Sequence, residues 1–184
     1  QGYFDMLRVP YSCCGVLPAA ITFNKFTCNQ YLKGFGIRVA ESLMIRKGHE
    51  VLNQEITGKV GLPCFIKPNL GGSSFGVTKV KEESQIQPAL EKAFSEADEV
   101  IVEAFMDGIE ITCGCYKTKS KEVVFPITEV VTKNEFFDYD AKYNGQVEEI
   151  TPARLPEELT ERVQLLTSAI YDILGCSGII RIDY

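Results

Sequence analysis

The stretch Phe65 to Val80, FIKPNLGGSSFGVTKV, constrains the fold of this 184-residue chain more than any other. Gly71, Gly72 and Gly76, with Ser73 and Ser74 among them, separate two short apolar runs. LPCFIKP, closed by Pro68, and GVTKVK each read as a strand, so the loop joins strand to strand. A Walker loop needs GxxxxGK[ST] between a strand and a helix. Here the lysine precedes the glycines, and no GK[ST] occurs anywhere. Two readings of the loop stand side by side. A Gly/Ser hairpin can offer backbone N–H groups and hydroxyls to phosphate oxygens, with Lys67 as a fixed cation beside them. It can equally be a turn with a snorkelling lysine, because glycine is the default turn residue.

Composition narrows the classes. With 45% hydrophobic and 24% charged residues the chain suits a globular protein with a core of useful size. The net charge of −6 and singly spread lysines exclude the concentrated basic face of a nucleic-acid binder. No apolar run approaches the ~20 residues that span a bilayer, so no membrane partner is expected. Seven cysteines cannot form a complete disulfide framework. His49 is the sole histidine and no CxxC pair accompanies it, so buried reduced thiols are favoured over zinc. Cys113 and Cys115 fall on one face of a strand. Reduced thiols place the protein in the cytoplasm. The chain opens on Gln1 and closes on Tyr184 inside a strand pattern, which reads as part of a longer protein.

ITFNKFTCNQYLKGFG reads as a short helix, capped by Thr22 or Asn24 and ended by Gly34. IRVAESLMI reads as a strand, and HEVLNQEITGKVG as a helix ended by Gly61. EESQIQPALEKAFSEAD is a helix with Pro88 in its first turn. EVIVEAFM is a buried strand, and Asp107-Gly108 turns into the strand IEITCGCYKT. SKEVVFPITEVV continues a sheet, with Pro126 marking an edge or a bulge. Residues 132–156 form a long polar, aromatic-rich loop, a length that is uncommon without function. PEELTERVQLLTSAIYDILG is the clearest helix, with Leu159, Val163, Leu166, Ile170 and Ile173 on its apolar face. SGIIRIDY is a final strand. A boundary falls near Phe105 to Gly108.

Three further features carry chemistry. Glu103 lies in the buried strand, where an unpaired carboxylate is costly, so it finds a partner or faces a cleft. Glu110 repeats the pattern one strand later. FFDYDAKYNG places Tyr139, Lys142 and Tyr143 in the long loop, which can close over a cleft or bind a partner. Arg181 and Asp183 share a face of the last strand. Such a pair is either a structural ion pair or a phosphoryl site, with a cation for developing charge and a carboxylate for Mg²⁺.

FNKFTCNQYLKGFGI, PCFIKPNLGGSSFGVTKV, VIVEAFMDGIEIT, FFDYDAKYNG and GIIRIDY, in this order, resemble an ATP-grasp enzyme, and more closely the D-alanine–D-alanine ligases. The resemblance implies an α+β ATP-grasp fold of two subdomains with largely antiparallel sheets that clamp ATP. Residues 1–21 would end an N-terminal domain and linker, 22–105 would be the central subdomain, and 106–184 the first part of the C-terminal subdomain. Lys25 and Lys67 would contact the phosphates, with Ser73, Ser74 and Gly76 covering them. Glu103, Ala104, Phe105 and Met106 would hold adenine, and Glu110 the ribose. Lys142 would reach the terminal phosphate, and Tyr143 would hydrogen-bond toward Ser73. Arg181 would stabilise the acyl phosphate and the tetrahedral intermediate, and Asp183 would bind Mg²⁺, or Mn²⁺ in its place. Ala104 departs from the lysine that often follows the glutamate in relatives.

The activity so implied joins two D-alanines through an acyl phosphate, for peptidoglycan synthesis, in a parent protein expected to be a homodimer. Metal ligands of the family's E-x-N-x-x-P-G run are not in this sequence, so these 184 residues are expected not to ligate unaided. An ATP-grasp ligase for another amino acid or peptide, and a non-catalytic nucleotide-binding module, are the competing readings.

Overall fold

A computed structural model describes residues 1–72, 75–132 and 147–184. They fall into two compact units. Ile21–Asp107 forms one; Gln1–Ala20 joins the described residues from Gly108 onward in the other.

The first unit is a four-stranded antiparallel sheet with helices. In chain order it holds α3 (Lys25–Gly34), β1 (Ser42–Arg46), α4 (Asn53–Val60), β2 (Cys64–Pro68), β3 (Thr78–Val80), α5 (Ile86–Phe94) and β4 (Glu99–Ala104). The strand order is β1-β4-β2-β3. Strand β2 alternates as its sequence demands: Cys64, Ile66 and Pro68 are buried, and Phe65 and Lys67 turn to the other face. The buried set meets Ile56 and Val60 of α4 and Ile86, Ala89, Leu90 and Ala93 of α5 in one core. The 86, 89, 90, 93 spacing is the helical stripe that a half-covered helix requires. Pro88 lies in the first turn of α5, where its missing N–H costs nothing.

Two local expectations are corrected here. Of the two caps expected, Asn24 is the one used: it is extended (φ −95°, ψ 102°) and accepts from Thr27 N at 2.8 Å, so Ile21, Thr22 and Phe23 of the run fall outside α3. The residues before it belong to α2 (Val16–Phe23). The strand read from Ile37 begins only at Ser42, since Ile37 N still closes onto the helix carbonyl of Leu32.

The second unit centres on β5 (Glu110–Lys117). Strand β9 (Ile179–Asp183) pairs with it along Thr112–Tyr116. On its other side lie β6 (Glu122–Val124), opposite Cys115–Lys117, and β7 (Thr128–Thr132), opposite Glu110–Thr112. β8 (Val147–Ile150) pairs with β7, so this part of the run expected as a loop over 132–156 is a strand. The run expected to continue a sheet through Pro126 is therefore two strands. Phe125 N still donates to Gly114 O at 2.9 Å, but Pro126 has no N–H to offer and the ladder breaks there.

Helix α6 (Glu157–Ile173) buries Val163, Thr167, Ile170 and Tyr171 against this sheet. The stripe is rotated from the expected one, and Leu159 stays 38% exposed. Short α1 (Gly2–Leu7) buries none of its residues. Gly178 (φ +70°) has no room for a side chain, since a Cβ there would lie 1.9 Å from Ser12 O.

Candidate functional site

In an antiparallel sheet, residues directly opposite share a face. Ser42, Glu103, Phe65 and Lys79 are opposite one another across β1, β4, β2 and β3. Lys67 lies one step along the same face as Phe65. This is the face that the apolar core does not occupy, and it gathers charge. Lys67 forms an ion pair with Glu103, and both side chains are largely buried, at 23% and 12% exposed. Asn29 Nδ2 donates to the other carboxylate oxygen of Glu103 at 2.6 Å. The expected alternative for Glu103, a partner or a cleft, is met by two partners. Lys79 Nζ stands 3.9 Å over the Phe105 ring, which tilts against Phe65 at 6.0 Å.

Helix α3 brings the other cation. Lys25 is its first residue, and the ammonium donates to the carbonyls of Pro68 (3.0 Å) and Gly71 (2.9 Å). Burial holds the Lys25 pKa below its usual value, and the charge of Lys67 lowers it further against a smaller opposing effect of Glu103. The Lys25 ammonium thus sits on the carbonyl of the residue that directly follows Lys67.

The helix is held in place by Asn69, a fully buried residue. Its Oδ1 accepts from Phe26 N at 2.9 Å and its Nδ2 donates to Glu99 Oε2 at 3.0 Å. Its own carbonyl accepts from Lys25 N at 3.1 Å. Asn29 and Asn69 were not found by sequence reasoning. The available signals were the four-residue spacing of Asn29 from Lys25, which puts both on one side of a helix, and a polar residue directly after a buried strand.

The glycine loop connects two antiparallel strands, β2 and β3, so the strand–loop–strand reading holds and the Walker reading is excluded. Gly71 (φ +96°) and Gly76 (φ +67°) adopt the left-handed region that favours glycine. At Gly76 a Cβ would also meet Pro68 Cγ at 3.0 Å. Ala104 ends β4 and donates its N–H to Glu41 O; Phe105 N donates to Pro63 O at 3.1 Å. Met106 is 66% exposed. Ser73, Ser74, Tyr139, Lys142 and Tyr143 lie outside the described residues.

In the second unit, Glu110 opens β5 and is exposed. Asp183 is opposite Thr112 and Arg181 opposite Gly114, on the same face as Glu110. Arg181 Nε and Asp183 Oδ1 are 3.3 Å apart, with 68% and 60% of the side chains exposed. The pair is therefore a surface pair, of small worth to stability. Opposite Arg181 a side chain on residue 114 would strike the Phe125 ring, with Cβ 2.9 Å from Cδ2.

Among the described residues no group of three or more His, Cys, Asp or Glu side chains could hold a metal ion. The seven cysteines are free; Cys64, Cys113 and Cys115 are buried, and burial pushes the Cys64 thiol up to about 11. Among the described residues no helix is long and apolar enough to cross a membrane.

Comparison with known proteins gives a consistent picture. The family described as "D-ala D-ala ligase C-terminus" matches residues 31–184. A D-alanine–D-alanine ligase of Bacteroides fragilis is 76% identical over 184 residues, covering all of this chain and 57% of that protein. One of Phocaeicola vulgatus is likewise 76% identical, with the same coverage. Among solved structures, the VanG D-Ala:D-Ser ligase of Enterococcus faecalis superposes with TM-score 0.87 at 34% identity, over 99% of this chain and 53% of that one. The Bacillus anthracis D-alanine–D-alanine ligase complexed with ATP gives 0.82 at 30% identity, over 100% and 57%. The chain spans little more than half the length of the relatives it matches.

Proposed function

The chain belongs to the D-ala D-ala ligase C-terminus family, and from that premise we propose that it binds ATP for the ligation of two D-alanines. Its fold is the α+β ATP-grasp fold that the sequence pattern implied. The observation that carries the proposal is the Lys67–Glu103 pair on the polar sheet face, with the Lys25 ammonium brought by α3 onto the carbonyls of Pro68 and Gly71 at the start of the glycine loop. Two neighbouring lysines, one with its charged form already disfavoured, gain from a polyphosphate that neutralises both. In the ATP-bound relative the same fold holds the nucleotide, which supports the reading.

Each residue then has a role. Lys25 and Lys67 take the phosphates, and the Gly71–Gly76 loop with Ser73 and Ser74 covers them. Glu103 accepts from the adenine amine, beside the backbone of Ala104, Phe105 and Met106. Glu110 takes the ribose hydroxyls. Lys142, Tyr143 and Tyr139 belong to the segment that closes the site. Arg181 neutralises charge on the acyl phosphate and on the tetrahedral intermediate that follows it. Asp183 fits a Mg²⁺ held by one carboxylate and by substrate phosphates, the usual way this ion is bound; that ion supplies further charge neutralisation when present.

One D-alanine carboxylate oxygen attacks the terminal phosphorus and ADP leaves. The amine of the second D-alanine attacks the acyl carbon, and phosphate leaves as the amide forms. The chain's share is positioning and electrostatics.

The proposal extends to peptidoglycan synthesis, the cytoplasm and a homodimeric parent protein. Domain limits at 22–105 and 106–184 belong to it as well. So does the expectation that the 184 residues do not complete ligation unaided. The test is phosphate release from Mg-ATP with D-alanine, with D-serine in parallel as second substrate. Turnover by the full-length protein with D-alanine supports the proposal. A preference for D-serine or another amino acid contradicts its substrate.

A further inference from the structure

Glu103 has two carboxylate oxygens, and on this polar face each has its own partner. Lys67 pairs with one from β2, and Asn29 Nδ2 holds the other from α3 at 2.6 Å. The partners come from different elements, so they fix the plane of the carboxylate as well as its position. Asn29 is itself well placed to do this. It lies one turn after Lys25, and α3 is anchored at that end by Asn24 on Thr27 N and by Asn69 on Phe26 N. The same helix therefore brings Lys25 toward Lys67 and Asn29 toward Glu103.

We infer that Asn29 is a positioning residue for base recognition, setting the Glu103 carboxylate to accept the exocyclic amine of adenine. This rests on the nucleotide reading above. An ionised carboxylate only accepts hydrogen bonds and has about four lone-pair directions. Lys67 and Asn29 each occupy one, on different oxygens, so the carboxylate plane and the direction of the remaining lone pair on each oxygen are fixed. Without Asn29 the carboxylate is free to swing toward Lys67, where a strong charge-assisted bond competes with the base. A purine with a 6-amino group donates to the fixed carboxylate, whereas a 6-oxo purine sets an acceptor against it. Discrimination between these bases then depends on Asn29, although Asn29 touches neither.

The experiment is calorimetric titration of the chain with ATP and with inosine triphosphate, which carries a 6-oxo group in place of the 6-amino. The wild type is expected to bind ATP the more tightly. Asn29→Ala is expected to weaken ATP about tenfold, the worth of one hydrogen bond to a charged group, and to leave inosine triphosphate nearly unchanged, so the preference collapses. Asn29→Leu, close in size and with neither donor nor charge, is expected to do the same. Asn29→Gln, which keeps the amide, recovers most of the preference. Gln30→Ala, the next residue on the helix, alters the two affinities equally.

A loss of general helix stability would move both nucleotides together, so the ratio reports positioning. Wild-type preference for ATP that persists in both Asn29→Ala and Asn29→Leu overturns the inference alone. A wild type that binds neither nucleotide overturns the reading beneath it, and the inference with it.

Discussion

Replacing Asn69 with alanine tests how the site is assembled. Asn69 is fully buried, and its amide makes two bonds that nothing else in the described structure replaces. Phe26 N–H, in the first turn of α3, loses its acceptor. Such helix-terminal donors have no partner within the helix, and a buried unsatisfied one costs about 1–3 kcal/mol. Glu99 Oε2 loses the amide at 3.0 Å, a bond to a charged acceptor worth about 1.5–3 kcal/mol. Glu99 keeps Arg46 on its other oxygen, which softens the loss. The two ranges sum to about 2.5–6 kcal/mol, the retained Arg46 bond favouring the lower part.

Asn24→Ala removes one ordinary cap and should cost only about 1 kcal/mol. The chain has no tryptophan, so the assay is urea unfolding followed by far-UV circular dichroism. With a slope of about 1–3 kcal/mol per molar urea, the Asn69→Ala midpoint falls by more than about 1 M. If Asn69→Ala is no more costly than Asn24→Ala, the view that Asn69 ties the helix to the sheet is wrong.

Gly76→Ala places a side chain at φ +67° and within 3.0 Å of Pro68 Cγ. The backbone alone costs about 1–2 kcal/mol, and ATP affinity should fall in calorimetry, whereas Gly72→Ala, with open space around it, should be mild. Lys25 titrates below its ordinary 10.5. Because a phosphate restores its charged form, ATP binding takes up a proton between the depressed value and 10.5, and affinity falls as pH rises through the depressed value. Titrations in buffers of different ionisation enthalpy read that proton directly. Glu129 is buried, and the Arg154 guanidinium, with bonds of 2.6 and 2.9 Å, lowers its pKa. Its stabilising contribution is present above 4.5 and is lost as pH falls through the lower folded value. Arg154→Ala should remove that acid-side dependence in urea midpoints measured from pH 7 to 3.

The parts legible in the sequence were those set by local rules. Pro68, two glycines with positive φ and flanking alternation were enough to read the strand–loop–strand around Lys67. The expense of a carboxylate inside VIVEAFM was enough to demand partners for Glu103. Gly61 and Gly175 marked helix ends because each takes a left-handed φ.

The less legible parts depend on tertiary contacts. That Glu103 would meet both Lys67 and Asn29 follows from sheet register and from the docking of α3, neither of which has a local signature. The rotation of the α6 stripe, leaving Leu159 exposed and burying Thr167, is set by what the helix meets. Thr167 is accommodated by hydrogen bonds to Val163 O and to Tyr184, both at 2.8 Å. The exposure of Arg181 and Asp183 is likewise not set locally: in β9 both alternate with half-buried isoleucines and both are exposed.

The central claim is that Lys25 and Lys67 form a phosphate-binding cation pair. Calorimetric titration of the chain with ATP and Mg²⁺ tests it most directly, beside Lys25→Ala and Lys67→Ala. The account predicts saturable binding at one site in the wild type and a loss of at least about tenfold in each variant, as expected when a bond to a charged group is removed. Absence of binding at millimolar ATP, or equal affinity in all three proteins, would contradict it.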